Sequence, residues 1–172
     1  FTQSATGARV EHAQARLLLG ERPRAPEPLP LDEIRRELRR QYSKAENYAL
    51  LGKAGFGYGE TFQVTEDIYC NDHASLCRLH IKGDEHGFDF HPALVDGALR
   101  ATFWVNQRLA QEDFRLSVPF SLGEIYFYDR LPDTCLAYAC LREQVMDITK
   151  FDITLCDTQG RVVATLKDFC TR

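Results

Sequence analysis

No stretch of this 172-residue chain is long and apolar enough to cross a membrane, since every apolar run falls short of the ~18 residues that a spanning helix needs. We also find no signal peptide. Net charge is small, at −4, so bulk charge gives no support for nucleic-acid binding. We therefore expect a cytoplasmic protein that binds neither membranes nor nucleic acid.

Paired cysteine motifs are also lacking, although the chain has six cysteines. No two of them form a Cys-x-x-Cys pair, and most lie in alternating, strand-like segments rather than loops. Buried reduced thiols are therefore predicted in place of a disulfide framework or a zinc site. The six are Cys70, Cys77, Cys135, Cys140, Cys156 and Cys170.

Proline is concentrated in residues 20–30, where it occupies four of eleven positions. This composition favours an extended, semi-rigid connector, and we place a boundary there. Before it, residues 9–19 alternate enough to predict a strand that belongs to an upstream unit. The chain begins at Phe1 rather than Met, and we expect it to be a piece of a longer protein.

Hydrophobic periodicity and capping signals predict the elements after the connector. One short helix starts near Leu31 with Asp32 as its N-cap, and a second is opened by a capping box at 43–46 and runs through Leu51. A long helix follows at 93–110, with Pro92 in its favoured first turn. Strands are predicted at 60–70, 74–82, 118–129, 134–143, 147–156 and 161–170.

Two strands, one long helix and a four-strand meander form an α+β pattern. The helix at 93–110 is apolar around almost its whole circumference, as a helix buried on all sides would be. We therefore predict the hotdog fold, in which an antiparallel sheet wraps around a long central helix.

A single carboxylate, Asp96, interrupts this apolar helix, and Arg100 follows one turn later at the spacing of an ion pair. A buried carboxylate is costly unless it is paired or has a function. Two interpretations remain open. Asp96 is a catalytic acid whose pKa is raised, or Arg100 keeps it ionised and lowers its pKa.

Several motifs across residues 9–172 resemble, in order and spacing, the dehydratase domains of modular polyketide synthases. "HPALVDGALRA" (91–101) resembles that family's His-Pro-Ala-Leu-Leu-Asp-x-Ala-Leu signature, and "YGETF" (58–62) its Tyr-Gly-Pro-x-Phe motif. Three further segments are similar to its Leu-Pro-Phe strand, its closing hairpin and the last strand of its first hotdog: residues 117–125, 151–169 and 11–20.

Family dehydratases are double hotdogs with two hotdog folds in one chain. The resemblance therefore implies that this chain is half of a double hotdog. Residues 1–19 would be the tail of a preceding hotdog, 20–30 the Pro-rich linker and 31–172 the second hotdog.

In the family, a His of the first hotdog, in a His-x3-Gly-x4-Pro motif, removes the α-proton of a β-hydroxyacyl thioester. The Asp of the second hotdog helps the β-hydroxyl leave as water. That catalytic His is absent from this chain, because no histidine begins the motif; the five are His12, His73, His80, His86 and His91. The resemblance implies no metal or redox cofactor, only a substrate held on the phosphopantetheine of an acyl carrier protein. Neighbouring polyketide synthase domains are the other implied partners.

The resemblance assigns Asp96 and Tyr58 as catalytic residues, with the Tyr58 hydroxyl near the thioester. Tyr58 would equally pack a turn between two glycines. His91 is expected to cap or anchor the start of the helix. The family has Gln or His where this chain has Arg100, and Pro where it has Glu60. Candidate substrate-binding residues, several of which would equally be plain core, are Phe62, His91, Pro92, Arg100, Val118, Pro119 and Phe120.

Two functions stay open at this point. The first is elimination of water from carrier-bound β-hydroxyacyl thioesters. The alternative is a non-dehydrating acyl-binding or branching domain that positions the intermediate for a neighbouring ketosynthase. Retained Asp96 and Tyr58 favour the first function, whereas Arg100 and the missing His favour the second.

Surface features predict two kinds of association. A lone second hotdog would expose the face that packs on the first, so we expect pairing with the missing N-terminal half or as a homodimer. The basic helix face at 35–40, "RRELRR", is either a docking surface for an acidic carrier protein or a solvated surface.

Overall fold

The computed structural model describes the chain except for Phe1, residues 4–6, Ala8, Arg22, residues 83–86 and residues 111–116. The predicted features at His86 and in part of the segment 1–19 lie outside the described residues. Three α-helices are present in the described part: α1 (Leu31–Glu37), α2 (Lys44–Lys53) and α3 (Pro92–Arg100). Turns of 3₁₀ helix occupy Glu60–Phe62 and Ala101–Ala110. The strands are β1 (Thr2–Gln3), β2 (Arg9–Val10), β3 (Arg40–Ser43), β4 (Thr65–Cys70), β5 (Ala74–His80), β6 (Pro119–Ser121), β7 (Glu124–Phe127), β8 (Thr134–Val145), β9 (Ile148–Cys156) and β10 (Val162–Thr171).

Eight of the described strands form one antiparallel sheet in the order β3-β4-β5-β8-β9-β10, with β6 and β7 both pairing to β10. Strands β1 and β2 form a separate ribbon. The sheet packs around α3 and the 3₁₀ helix that continues it. The predicted α+β arrangement, an antiparallel sheet around a central helix, is confirmed.

Two hydrophobic layers cover the two faces of the sheet. The larger one lies between the inner face and α3, and it includes Cys77 and Leu79 of β5. The smaller one lies on the outer face, where α1 packs on Leu76 of the same strand. Successive side chains of a strand point to opposite faces, so one strand serves both layers. The alternation predicted for β5 is confirmed.

Helix α3 is fixed at both ends by side-chain hydrogen bonds. His91 is the N-cap, and its Nδ1 accepts from the backbone N–H of Ala93 at 3.2 Å. After the helix, Ser75 Oγ donates to the carbonyl of Ala101 at 2.7 Å. The predicted α-helix over 93–110 is correct only as far as Arg100, because the chain then tightens into 3₁₀ geometry.

Gly97 allows α3 to pack closely against the sheet. A Cβ built at this position would lie 2.8 Å from Val64 Cγ2 and 3.2 Å from Leu79 Cδ2. A contact at 2.8 Å is too short for carbon atoms, so the helix lies at this depth because residue 97 has no side chain. Asp96, the preceding residue, lies in the same turn of α3.

Three predicted elements that precede β5 differ in the structure. The strand over 9–19 is wrong beyond Val10, since residues 11–19 have no regular structure and Leu17–Leu19 are exposed. Asp32 is not the N-cap of α1, because the helix begins one residue earlier after Pro30. The strand expected from residue 60 starts at Thr65, after a 3₁₀ turn that follows a glycine-rich segment.

The strand predicted over 118–129 is divided into β6 and β7. At the break, the N–H of Gly123 contacts the carbonyls of both Lys167 and Asp168, at 3.1 and 3.3 Å. Asp168 has φ of +52°, and the register of β10 shifts there. A bulge in the partner strand therefore interrupts the ladder, a feature that hydrophobic alternation does not reveal.

The cysteines match their predicted state. All six are free, and five are buried, with Cys140 intermediate. Burial raises the pKa of Cys70 to about 11 and that of Cys156 to about 12, so both are thiols at neutral pH. Among the described residues, no helix combines the length and apolar composition that crossing a bilayer requires.

Candidate functional site

Asp96 and Arg100 form an ion pair between two successive turns of α3. Arg100 Nε lies 2.9 Å from Asp96 Oδ2, with the Arg100 side chain 6% exposed and that of Asp96 38% exposed. Both atoms are buried, and neither has a well-aligned hydrogen bond among the described residues. The contact is thus mainly electrostatic, and the inner oxygen of Asp96 keeps unused hydrogen-bonding capacity.

Burial governs the protonation of Asp96. Desolvation raises the pKa of this carboxyl group, and the charge and contact of Arg100 lower it by less, so the pKa lies above the ordinary Asp value. The structure therefore contains the ion pair of one interpretation and the raised pKa of the other. A carboxyl group of this kind holds its proton more readily than an exposed one, as a proton donor must.

The guanidinium of Arg100 contacts three other groups. Its Nη2 donates to the carbonyl of Phe62 at 2.7 Å, and its Nη1 lies 3.5 Å from the hydroxyl of Tyr48. Its Cζ lies 4.2 Å from the centre of the Tyr58 ring, within range of a cation–π interaction. All these contacts are with the protein itself, so a direct role of Arg100 in substrate binding stays a prediction.

Tyr58 lies beside this pair, half-buried in the glycine-rich segment between α2 and β4. Its ring stacks on Phe56 at 5.8 Å and meets Tyr48 edge-on at 6.5 Å. Burial raises the pKa of the Tyr58 hydroxyl, and the nearby Arg100 charge partly opposes this. The sequence interpretations of Tyr58 as packing residue and as site residue are both compatible with this position, since it packs and also adjoins Asp96.

Tyr48 is a member of the site that sequence reasoning missed. Its hydroxyl accepts from the N–H of Thr65 at 3.1 Å and donates to the carbonyl of Phe62 at 3.3 Å. It thereby joins α2 to the segment that holds Tyr58. No local pattern distinguishes Tyr48 from the other tyrosines of the chain.

His91 and Pro92 lie at the start of α3, the predicted position. His91 is 7% exposed and caps the helix, as expected, and its ring meets Phe88 edge-on at 5.4 Å. Pro92 is exposed at the first helical position. His91 also lines a cleft of about 410 Å³, whose other walls are Lys44, Glu60, Thr61, Gln63, Val64, His80, Ile81 and Lys82.

The remaining predicted substrate-binding residues are exposed. Phe62, 38% exposed, offers its carbonyl to Arg100. Val118 and Phe120, 54% and 61% exposed, lie with Pro119 at the edge of the sheet, where Val118 pairs with Arg172 of the C-terminus. Their interpretation as plain core is therefore wrong. No contact in the described part of the chain joins residues 118–120 to Asp96, and their role as tunnel walls stays a prediction.

Two arginines of the basic face at 35–40 each contact a different group of the protein. Arg36 Nε donates to the carbonyl of Asp32 at 3.1 Å, and Arg40 pairs with Asp72 at 2.7 Å. Both pairs are exposed, so they contribute little to stability. The docking role of this face stays a prediction. Within the described residues, no group of three or more His, Cys, Asp or Glu side chains is arranged to hold a metal ion.

A family model and individual relatives both relate this chain to polyketide synthases. Residues 26–172 match the family described as "Polyketide synthase dehydratase N-terminal domain". Polyketide synthase PksM of Bacillus subtilis (strain 168) is 32% identical over 130 residues, which cover 70% of this chain and 3% of PksM.

Two solved structures are similar over most of the chain. A dehydratase domain of a trans-AT polyketide synthase from Brevibacillus brevis shares 26% identity with a TM-score of 0.79, over 90% of this chain and 56% of that one. The dehydratase domain from the CurJ module of curacin polyketide synthase shares 27% identity with a TM-score of 0.74, over 86% of this chain and 55% of that one. The chain therefore has the predicted hotdog fold and spans little more than half of these dehydratase structures. Its assignment as the second hotdog stays a prediction.

Proposed function

The chain belongs to the polyketide synthase dehydratase family, and we propose that it supplies the aspartate of a dehydratase acting on acyl-carrier-protein-bound β-hydroxyacyl thioesters. The observation that carries the proposal is the state of Asp96. The signature carboxyl group is partly buried on α3, and its pKa is raised by desolvation. It is therefore suited to hold a proton and deliver it to a departing hydroxyl group.

The proposed reaction divides between two halves of a complete domain. A base outside this chain, the family His of the other hotdog, removes the α-proton of the thioester. The Cβ–O bond then breaks as the Cα–Cβ double bond forms, and Asp96 gives its proton to the hydroxyl, which leaves as water. We assign Tyr58 to a position near the thioester because its ring adjoins the same guanidinium. The acyl chain arrives on phosphopantetheine, and no metal or redox cofactor takes part in the proposed reaction.

One observation favours the alternative, a non-dehydrating domain that binds or branches the acyl intermediate for a neighbouring ketosynthase. Arg100 lies 2.9 Å from the Asp96 carboxylate, and its charge opposes protonation. An Asp96 that stays ionised would orient a hydroxyl group but would not donate a proton. The two functions therefore differ in whether water is lost.

An intact-mass assay distinguishes them. The complete parent domain is incubated with a β-hydroxyacyl carrier protein, in parallel with an Asp96→Asn variant. We expect the substrate to lose ~18 Da, one water, with the parent and not with the variant, because Asn has no proton of suitable acidity to donate. No loss of water in either sample, with the acyl carrier still bound, would refute dehydration and support the positioning function.

The relatives are modular polyketide synthases, so neighbouring synthase domains are expected partners. We propose the carrier protein as a further partner and a cytoplasmic location for the assembly. We also propose that the exposed edge strands pack on the other half of the parent domain. Val118, Phe120, Ile125 and Phe127 are 42–61% exposed there, an apolar patch suited to a protein interface.

Sedimentation tests this last proposal. At micromolar concentration the isolated chain should self-associate, and the complete parent domain should bury the patch. A monomeric isolated chain would contradict the proposal. Substituting Phe120 and Phe127 by Ser should reduce self-association, because both rings lie in the exposed patch.

A further inference from the structure

We propose that Arg100 is a positioning residue that holds the Asp96 carboxyl group and the Tyr58 ring in one fixed arrangement. The inference rests on the proposed function and deepens it by naming what orients the two candidate catalytic groups. In this proposal Arg100 acts through these neighbours, in place of the direct substrate contact that the sequence predicted, since its side chain is 6% exposed and directed at protein groups.

The contacts of Arg100 connect three parts of the chain. Its Nε faces Asp96 on α3, its Nη2 binds the carbonyl of Phe62, and its Nη1 approaches Tyr48 of α2. The Tyr58 ring covers the guanidinium at 4.2 Å. A planar group with donors in several directions can make these contacts at once, whereas the single ammonium of a lysine cannot.

The segment that carries Tyr58 has no buried residue between Gly55 and Phe62, although Gln63 Nε2 donates to the carbonyl of Tyr58 at 2.9 Å. No residue of the 3₁₀ turn at Glu60–Phe62 is buried, and Cβ atoms built at Gly57 and Gly59 would meet nothing within 4 Å. Gly55, at φ of +90°, adds conformational freedom at the start. Since the glycines give this backbone conformational freedom, the hydrogen bond from Arg100 to Phe62 restricts where Tyr58 can lie, together with that from Gln63.

The groups around Asp96 make the effect measurable. On its own helix the carboxyl group faces Arg100, and the facing segments contribute the hydroxyl groups of Tyr58, whose pKa is raised by burial, and of Tyr48. From the sheet, Cys77 is close enough to feel the charge of Arg100 and is itself a thiol. Arg100 is therefore the cation that opposes the effect of burial on Asp96, and removing it would leave burial unopposed.

The test uses the complete parent domain with Arg100→Gln, Arg100→Lys and the control Arg161→Gln. Arg161 forms the same kind of pair with Asp157, at 3.0 Å and four residues apart, but its own side chain is 66% exposed. Two properties are measured in each variant. Carbon-13 NMR follows the titration of the Asp96 carboxyl group and the ring signals of Tyr58, with Asp96→Asn for assignment. Intact-mass time courses give the rate of dehydration as a function of pH.

We expect Arg100→Gln to raise the pKa of Asp96, to shift the Tyr58 ring signals and to slow dehydration by roughly 10- to 100-fold. The basic limb of the pH–rate profile of this variant should move to higher pH, which a purely structural role of Arg100 would not cause. Arg100→Lys should leave the Asp96 pKa nearly unchanged, yet shift the Tyr58 signals and slow the reaction, because the planar contacts are lost. Arg161→Gln should leave the Asp96 pKa, the Tyr58 ring signals and the rate of dehydration unchanged.

The proposal is overturned if both Arg100 variants have the same Asp96 pKa, Tyr58 ring signals and dehydration rate as Arg161→Gln. If Arg100→Gln does not fold, Arg100→Lys decides, and wild-type ring signals and rate in that variant would overturn the proposal. Failure of the proposed function is separately visible as absence of dehydration in the wild-type parent domain. In that case the Tyr58 and Asp96 signals still test the positioning role.

Discussion

The described part of the chain contains two Asp–Arg ion pairs of the same spacing, one on α3 and one in the turn between β9 and β10. In each, the Nε of an arginine lies close to the Oδ2 of an aspartate four residues earlier, at 2.9 Å for Asp96–Arg100 and 3.0 Å for Asp157–Arg161. Their surroundings differ, since the arginine side chain is 6% exposed at Arg100 and 66% exposed at Arg161, whereas the aspartate side chain is 38% exposed at Asp96 and 19% exposed at Asp157. Identical chemistry is therefore placed in two environments.

The two aspartates respond in opposite directions. For Asp96, burial raises the pKa and the contact with Arg100 only partly offsets it. For Asp157, burial also raises the pKa, but hydrogen bonds from the backbone of Gln159 and Arg161 and from the Arg161 side chain outweigh it, so the pKa is lowered. Those backbone bonds measure 2.9 and 3.0 Å. In this comparison, hydrogen bonds to the carboxylate account for the opposite directions of the two pKa shifts better than the neighbouring arginine, which both aspartates have.

The largest expected difference between the pairs is in stability. Arg100→Ala should lower the free energy of unfolding by about 2 kcal/mol, because it leaves a partly buried carboxylate without its cation. The loss is smaller than for a fully buried pair, since the Asp96 side chain is 38% exposed. Arg161→Ala should cost less than about 1 kcal/mol. Urea denaturation of both variants measures the difference, and equal losses would show that burial does not distinguish the pairs.

A smaller effect is expected at Gly97, where α3 closely approaches Val64 and Leu79. Gly97→Ala should destabilise the fold by roughly 1 kcal/mol, because overpacking against Val64 and Leu79 exceeds the gain in helix propensity. The matched control is Gly52 in α2, where a Cβ meets nothing within 4 Å. Gly52→Ala should stabilise by up to about 1 kcal/mol in the same denaturation experiment. A stabilised Gly97→Ala variant would show that the close approach is not required.

The smallest effect is in the pH dependence of stability, where the two aspartates should differ in sign. Asp96 has a raised folded-state pKa, so its contribution is fully present below the ordinary value of about 4 and is lost as pH rises through the folded-state pKa. Asp157 has a lowered pKa, so its contribution is present above that value and is lost as pH falls.

Thermal unfolding of the two Asn variants from pH 3 to pH 7 measures the pH-dependent contribution of each aspartate to stability. Relative to wild type, Asp96→Asn should become more stable as pH rises, and Asp157→Asn less stable. Parallel pH profiles for the two variants would contradict the assignment of opposite shifts.

Local patterns predicted much of the fold because they reflect physics within one element. Alternation located β5 and β8–β10, since strand side chains alternate between the two faces whatever lies beyond them. The capping box at Ser43 and Glu46 also formed as predicted, with both hydrogen bonds present. Predictions failed where a distant group decides the backbone, as at Gly123, where the bulge in β10 breaks the edge strand.

The candidate site likewise has some features set by local sequence and others set by distant residues. The sequence alone determined that Asp96 and Arg100 share a helix face, because residues four apart lie one turn from each other. Only the tertiary structure decided what surrounds them. It brings Phe62 and Tyr48, 38 and 52 residues away along the chain, to the guanidinium of Arg100. It also partly buries Asp96 among neighbours that no spacing reveals, and because desolvation depends on those neighbours, the direction of the Asp96 pKa shift is a property of the packed fold.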